Sequence, residues 1–153
     1  MVGILYYNVI MEYFHLIYHS KAIPELTQVD LSEILATARR ENLKNRITGF
    51  LTYRDHYFLQ LLEGNENKVK ETLDRIKKDT RHSSVTVIGE YKSTSQLMPD
   101  WNMAQVDSMK IAASAKDLIN LFETARGKNV FDSKESLEFV LKKFSKDAAV
   151  FIE

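Results

Sequence analysis

The eight-residue stretch 57-YFLQLLEG-64 restricts the fold of this chain more than any other segment. It is apolar on both sides of Gln60, and the polar pair Asp55 and His56 precedes it as a turn. A short apolar run of this kind is typical of a strand that is covered on both faces. A buried amide without hydrogen-bond partners costs on the order of 1–3 kcal/mol. We therefore expect a β-sheet covered on both faces, in which Gln60 has specific partners.

The remaining sequence alternates between strand and helix patterns. We predict strands over 13–20, 47–54, 57–64 and 85–91, a short fifth strand from about Trp101 to Val106, and helices over 28–42, from Asn65 onward, over 110–127 and over 136–144. Thr27 and Asp30 form a capping-box pattern before the first helix, and Asn65 can cap the second. The order βαββαββ predicts an α+β, ferredoxin-like sheet with strands one and three side by side at its centre. The first two helices would cover one face of this sheet, and the two C-terminal helices would cover the other.

Strand alternation indicates which side chains can reach Gln60. Gln60 shares one face of strand three with Phe58, and Tyr18 lies on strand one. If these strands are neighbours, the Tyr18 hydroxyl can donate a hydrogen bond to the Gln60 amide oxygen. Asn42, at the end of helix one, is the next polar side chain that can reach the same cleft. Taken alone, such a pair is more often a core hydrogen bond, so the residues indicate only a polar cluster suited to a flat heterocycle.

Composition excludes several classes of function. The chain has 153 residues, enough for one domain, and carries 21 Lys and Arg against 21 Asp and Glu. This zero net charge gives no indication of a nucleic-acid partner and is compatible with self-association. The absence of cysteine excludes disulfides and thiolate metal sites and fits a cytoplasmic protein, and we predict no metal site. Residues 1–10 are apolar but too short to cross a bilayer, which takes about 20 residues, so we expect no membrane association.

Five segments of the chain carry more specific motifs. They are 16-LIYHS-20, 38-ARRENLKNRITGFLTY-53, 58-FLQLLEG-64, 75-RIKKDTRH-82 and 99-PDWNM-103. In this order and at this spacing they resemble the successive motifs of the BLUF family, the flavin-binding blue-light sensors. The resemblance extends over about Tyr13 to Asp107. One departure is Arg46, which stands where the family often has a glycine before I-T-G.

The resemblance implies that FAD, or FMN in some preparations, lies between helices one and two. Gln60 would bridge the Tyr18 hydroxyl and the N5/C4=O edge of the flavin, and Asn42 would hydrogen-bond the C4=O and N3 edge. Further residues are implied to surround the ring and then the ribityl-phosphate arm: Ile34, Phe58 and Leu62, followed by Arg75, Asp79, Arg81 and His82.

The resemblance also implies a mechanism that is not enzymatic. Blue light would drive electron and proton transfer from Tyr18 to the flavin, which returns to its oxidised state after the Gln60 amide has rearranged. Trp101 and Met103 match the strand-five positions that exchange places near Gln60 in this family. They would convert a change of hydrogen bonding into a change of packing.

The length of the chain constrains how a signal could leave it. We divide the chain into an N-terminal extension of uncertain status (1–10), a BLUF flavin-binding domain (11–107) and a C-terminal helical output segment (108–153). The last segment is too short for a cyclase or phosphodiesterase domain, so we expect output through an unknown downstream protein in trans or through a homo-oligomer.

Two alternatives share the predicted topology. One is a small-ligand enzyme similar to the acylphosphatases, but no Arg occupies a tight Gly-rich loop after strand one. The other is an RNA-binding module, in which strand aromatics such as Tyr18 and Phe58 would stack bases. Neutral charge and a helix-covered sheet both disfavour RNA binding.

Overall fold

The computed structural model describes residues 11–100, 103–105, 135, 138–139 and 141–142. The strands are β1 (Tyr13–Ala22), β2 (Thr48–Arg54), β3 (Tyr57–Gly64), β4 (His82–Ser93) and β5 (Ala104–Gln105), and the helices are α1 (Gln28–Asn45) and α2 (Glu66–Lys77). The described elements therefore follow one another in the predicted order βαββαββ.

These strands form one sheet with the order β4-β1-β3-β2-β5. The pairs β4–β1, β1–β3 and β3–β2 are antiparallel, whereas β5 runs parallel to β2. β1 and β3 lie side by side near the centre, and Tyr18 stands directly opposite Gln60. The predicted α+β, ferredoxin-like fold and the central position of 57-YFLQLLEG-64 are thus confirmed.

Local sequence explains where the helices begin and end. Thr27 Oγ1 accepts from the Asp30 N–H at 3.1 Å and Asp30 Oδ2 accepts from the Thr27 N–H at 2.9 Å, so the predicted capping box is present. Asn65 Oδ1 caps α2 by accepting from the Lys68 N–H at 3.2 Å. α1 is terminated by Arg46, whose φ of 54° lies in the left-handed region that favours glycine. A glycine would adopt this conformation at lower cost than Arg46 does.

Both faces of the sheet are buried. The face toward the helices packs Phe14, Leu16, Tyr18, Leu51, Phe58 and Leu62 against Leu31, Leu35, Val69 and Leu73. The opposite face buries His15, Ile17, Leu59, Leu61 and Glu63. A strand buried on both sides needs apolar residues at nearly every position, which explains the sequence of β3.

The β2–β3 hairpin fixes the register of β3. Asp55 and His56 have φ values of 50° and 67°, as a tight two-residue turn between right-twisted strands requires. Gly49 on β2 passes so close to β3 that a Cβ would collide with the Leu61 carbonyl oxygen. The turn sets which residues of β2 and β3 pair, and the glycine allows the two strands to approach closely.

The structure differs from the prediction mainly at element ends. α1 continues to Asn45, three residues beyond the predicted end, until the left-handed Arg46 reverses the chain. β4 begins at His82 rather than at residue 85, because β1 extends to Ala22 and pairs with His82.

The C-terminal helices are described only in part. Residues 135, 138–139 and 141–142 are helical, and Leu141 is fully buried, in agreement with the last predicted helix. The rest of that helix, the whole of the helix predicted over 110–127, residues 1–10 and Trp101 lie outside the described residues.

Candidate functional site

A cavity lies between α1, α2 and the helix-covered face of the sheet. At its inner end it is lined by five predicted site residues, Tyr18, Ile34, Asn42, Phe58 and Gln60. At its outer end it is lined by four more, Arg75, Asp79, Arg81 and His82. Leu62 is fully buried in the core of the same face but does not line the cavity. The structure therefore brings nine of the ten predicted cofactor-contacting residues to one space.

The inner end is organised around the Tyr18–Gln60 pair. The Tyr18 hydroxyl donates a hydrogen bond to Gln60 Oε1, and both side chains are buried. Burial, with a smaller contribution from the charge of Asp79, raises the pKa of the Tyr18 hydroxyl well above its ordinary value. Tyr18 is therefore a neutral donor, and the cross-strand partner that alternation predicted for Gln60 is confirmed.

The other end of the Gln60 amide points toward Met103. Gln60 Nε2 donates to Met103 Sδ across 3.4 Å, and a thioether sulfur is a weak acceptor. The Met103 carbonyl oxygen accepts from Arg39 Nε at 3.0 Å, which connects the start of β5 to α1. The predicted proximity of Met103 to Gln60 is confirmed, whereas Trp101 lies outside the described residues.

Asn42 reaches the cavity because α1 stays helical beyond it. Its side chain is buried, and its backbone carbonyl accepts from the Ile47 N–H at 2.9 Å after the chain reverses at Arg46. This reversal holds the last turn of α1 against the start of β2. The amide of Asn42 consequently faces the same space as Gln60.

The outer end of the cavity carries a cluster of charges. Arg81 Nη2 lies 2.7 Å from Asp79 Oδ2, and this hydrogen-bonded arginine holds the pKa of Asp79 below its usual value. Arg81 also lies 3.6 Å from Glu33, and Arg75 lies 3.9 Å from Glu41. Both guanidinium groups therefore line the cavity mouth, and each lies close to at least one carboxylate.

His82 lines the cavity and also contacts two elements of the fold. Its Nε2 lies 2.7 Å from the Ile76 carbonyl oxygen and its Nδ1 lies 2.7 Å from Ser20 Oγ. A carbonyl can only accept, so Nε2 carries a hydrogen. The ring also meets Phe58 edge-on, with centroids 6.2 Å apart. His82 thus lines the cavity while both of its nitrogens join α2 to β1.

Sequence reasoning missed several residues that line the cavity or support it. Thr37, Ala38, Leu51, Thr72 and Ile76 also line the cavity. Helical spacing from Ile34 along α1 indicates positions 37 and 38, and the strand face of Gln60 indicates its cross-strand partner Leu51. Arg39 carried no such signal, because its partner is a backbone carbonyl distant in sequence.

Other kinds of site find no support in the part of the chain that the structure describes. No group of three or more His, Asp or Glu side chains there could hold a metal ion. Likewise, none of the helices described is long and apolar enough to cross a membrane.

The fold and the cavity together describe a small α+β domain whose helix-covered cavity, with a polar pair at its inner end, could hold a flat ligand. Comparison with known families identifies it further. The family model described as "BLUF: Sensors of blue-light using FAD" matches residues 13–104, and the chain belongs to this family.

Curated relatives share this region. The chain is 33% identical over 98 residues to the photoactivated adenylate cyclase subunit beta of Euglena gracilis. These 98 residues make up 63% of this chain and 11% of the relative. It is 34% identical over 70 residues to the blue light- and temperature-regulated antirepressor BluF of Escherichia coli (strain K12), covering 46% of this chain and 17% of that protein. The chain therefore spans only a small part of these relatives.

Solved structures give longer matches. The dark-state structure of BlrB, a BLUF protein, superposes with a TM-score of 0.70 at 27% identity and covers 88% of this chain and 98% of that one. The photo-activated state of BlsA gives a TM-score of 0.69 at 27% identity over 87% of this chain and 94% of its own. These matches agree with the α+β arrangement described above.

Proposed function

We propose that this chain binds FAD in the cavity between α1 and α2, responds to blue light through Tyr18 and Gln60, and signals without catalysing a reaction. The observation that carries this proposal is the buried Tyr18–Gln60 hydrogen bond at the inner end of the cavity. A core in which that bond served packing alone would not need an adjoining cavity rimmed by amide and guanidinium groups.

The side chains that line the cavity fit a flavin. Ile34, Leu51 and Phe58 offer apolar walls for a flat ring, and the amides of Asn42 and Gln60 can both donate and accept at its polar edge. At the mouth, the Arg75 and Arg81 guanidinium groups suit a phosphate. FMN carries the same ring and a phosphate, so the cavity fits both, and the family description favours FAD.

The response follows from what Tyr18 and Gln60 can do. When bound, FAD supplies the absorption of blue light and a site that accepts an electron and a proton. Once Tyr18 has lost its proton, its oxygen no longer donates to Gln60 Oε1, and the amide loses the bond that fixes its orientation. Gln60 then rearranges, and its Nε2 can leave the weak sulfur acceptor of Met103.

The output follows the chain from Met103. Met103 begins the segment that enters β5, and we propose that Trp101 takes part in the same change, as the motif resemblance implies. The segment 108–153 would then carry the change to a downstream protein in trans or to a second copy of this chain in the cytoplasm. Size-exclusion profiles recorded in the dark and under blue light, with and without candidate partners, should differ, and identical profiles would contradict this route.

The absorption spectrum of the purified, FAD-reconstituted chain tests the photoreceptor directly. We expect a flavin spectrum that shifts to the red under blue light and returns in the dark. Tyr18→Phe should retain the flavin and lose this reversible shift, because phenylalanine has no proton to give. A protein that binds no flavin contradicts the proposed function, and a normal photocycle in Tyr18→Phe contradicts the assignment of the donor.

Tyr91→Phe is the matched control for that variant. Tyr91 is also a buried tyrosine of the central sheet, but it lies on the opposite face and stacks on His15 with ring centroids 4.3 Å apart. Its replacement should leave the red shift in place. Loss of the shift in both variants would indicate general damage to the sheet.

A further inference from the structure

A second buried polar cluster lies on the face of β3 opposite Gln60. Glu63 follows Gln60 by three positions, so its side chain points away from the cavity, and it is completely buried. A buried carboxylate is strongly unfavourable unless charge and hydrogen bonds compensate it. Its surroundings therefore indicate what it holds in place.

Four groups from three separate parts of the chain meet the Glu63 carboxylate. Its Oε2 lies 3.1 Å from His15 Nε2 on β1 and accepts from the Leu97 N–H at 2.8 Å. Its Oε1 accepts from Thr48 Oγ1 on β2 at 2.8 Å and from the Met98 N–H at 2.6 Å. Both oxygens are thus occupied by strong partners.

These partners keep Glu63 ionised. Burial alone would raise its pKa, but the close contact with His15 and the hydrogen bonds from Leu97, Met98 and Thr48 hold the pKa below its usual value. A charged acceptor binds backbone N–H groups about twice as strongly as a neutral one. The Leu97–Met98 turn is consequently held firmly to the central strand.

That turn leads directly to the residue that contacts Gln60. Met103 follows Met98 by five residues, and five residues span at most about 18 Å even when the chain is fully extended. The side chain of Gln96 gives the turn a further attachment, since its Nε2 donates to Thr48 Oγ1 at 3.3 Å. Beyond the turn, Arg39 holds the Met103 carbonyl oxygen. The connection from β4 to β5 is therefore fixed at both ends, and Glu63 fixes the first.

We propose that Glu63 is a positioning residue of the light response: its carboxylate fixes the Leu97–Met98 turn and so seats Met103 beside Gln60 in the dark. This inference rests on the proposed function, because Met103 matters only if Gln60 rearranges. β3 therefore carries Gln60 on one face and Glu63 on the other, and Glu63 positions Met103, the sulfur partner of Gln60.

The first test needs no light. The full chain, reconstituted with FAD and labelled with carbon-13 in its methionine methyl groups, should give a Met103 signal that is identified by its loss in Met103→Leu. In Glu63→Gln this signal should move, because a neutral amide cannot accept from both N–H groups as the carboxylate does. Leu59→Ala is the control, since Leu59 is fully buried on the same strand and face but belongs to none of these hydrogen bonds.

The second test measures dark recovery of the flavin spectrum after blue light. Glu63→Gln should retain the red shift but recover about fivefold more slowly, because the dark arrangement loses an interaction that stabilises it. Leu59→Ala should recover at nearly the wild-type rate although it is less stable. Equal recovery in Glu63→Gln and wild type, or equal slowing in both variants, would overturn the proposal.

Two further outcomes keep the inference separate from other failures. If Glu63→Gln does not fold, Thr48→Val removes one donor to the carboxylate, together with the acceptor for Gln96 Nε2, and should move the Met103 signal by a smaller amount. An unchanged signal in that variant would overturn the proposal. If the wild-type protein shows no red shift, the proposed function fails, while the Met103 signal in the dark still decides whether Glu63 positions this residue.

Discussion

The two faces of β3 each bury one polar side chain, Gln60 or Glu63, and these two side chains differ in how completely they are hydrogen-bonded. Gln60 has one strong partner, the Tyr18 hydroxyl, and one weak partner, the Met103 sulfur, and it borders a cavity. Glu63 has three hydrogen bonds and a histidine at 3.1 Å, and it does not line the cavity that Gln60 borders. The first side chain can exchange partners, whereas the second cannot move without leaving several donors unsatisfied.

This difference indicates how one strand can carry both a side chain that rearranges and a side chain that holds the surrounding structure in place. A side chain that switches needs two arrangements of similar free energy, which weak or partial hydrogen bonding provides. A side chain that holds its neighbours in place needs one arrangement that is much more stable than any other, which a fully hydrogen-bonded buried carboxylate provides. Because strand residues alternate, the two roles are separated by the sheet itself.

The largest expected effect comes from removing the amide of Gln60. If the chain binds FAD as proposed, Gln60→Leu should abolish the reversible red shift while the protein retains the flavin and folds. The free energy of unfolding should fall by no more than about 1–2 kcal/mol, because the main loss is one acceptor for the Tyr18 hydroxyl. Blue-light difference spectra and urea unfolding measure the two quantities. Leu59→Met, a change of similar size on the other face, should keep the shift, and a full shift in Gln60→Leu would remove Gln60 from the mechanism.

Glu63→Gln should show the opposite combination. Replacing a buried carboxylate that accepts three hydrogen bonds leaves buried donors poorly satisfied, so we expect a loss of about 3 kcal/mol in the free energy of unfolding at pH 7. The red shift itself should persist. Glu66→Gln is the control on the exposed surface, where the same chemical change should have a far smaller effect. Equal stability of the two variants would remove the distinction between the faces.

The pH dependence of stability should follow Glu63. Its folded pKa is lower than the ordinary value of 4.5, so its contribution to stability is complete above about pH 5. That contribution is lost as the pH falls through about 4.5 toward the lower folded pKa. The difference in unfolding free energy between wild type and Glu63→Gln should therefore be constant from pH 7 to pH 5 and shrink below that. Urea unfolding of both proteins at each pH measures it, and a constant difference down to pH 3 would contradict the ionised state of Glu63.

The cavity side of β3 could be predicted from sequence to a large extent. Alternation along two strands was enough to place Tyr18 next to Gln60, the end of helix one indicated Asn42, and the motif resemblance added the charged mouth. The helix cap at Thr27 could equally be predicted from the sequence, because its hydrogen-bond partner Asp30 lies only three residues away. The end of α1 was missed because a left-handed Arg46, rather than a glycine or proline, terminates the helix.

The Glu63 side could not be predicted in the same way. Two of its donors are backbone N–H groups of a loop, and these have no sequence signature. One signal was present: the register that places Tyr18 opposite Gln60 also places His15 opposite Glu63. A histidine and a glutamate facing each other on two central strands would have indicated a buried polar contact.

The smallest expected effect comes from the sulfur of Met103. Met103→Leu keeps a side chain of similar volume, so the free energy of unfolding should change by less than about 1.5 kcal/mol. It removes the acceptor for Gln60 Nε2, which should weaken the dark arrangement and slow recovery without abolishing the red shift. Met98→Leu makes the same exchange at the buried far end of the segment, where the backbone N–H that binds Glu63 is unchanged. Flash illumination followed by absorption should show altered recovery only in Met103→Leu. If both variants recover like wild type, the weak contact of Gln60 contributes nothing to the switch, and the contrast between the two faces reduces to the Tyr18 bond alone.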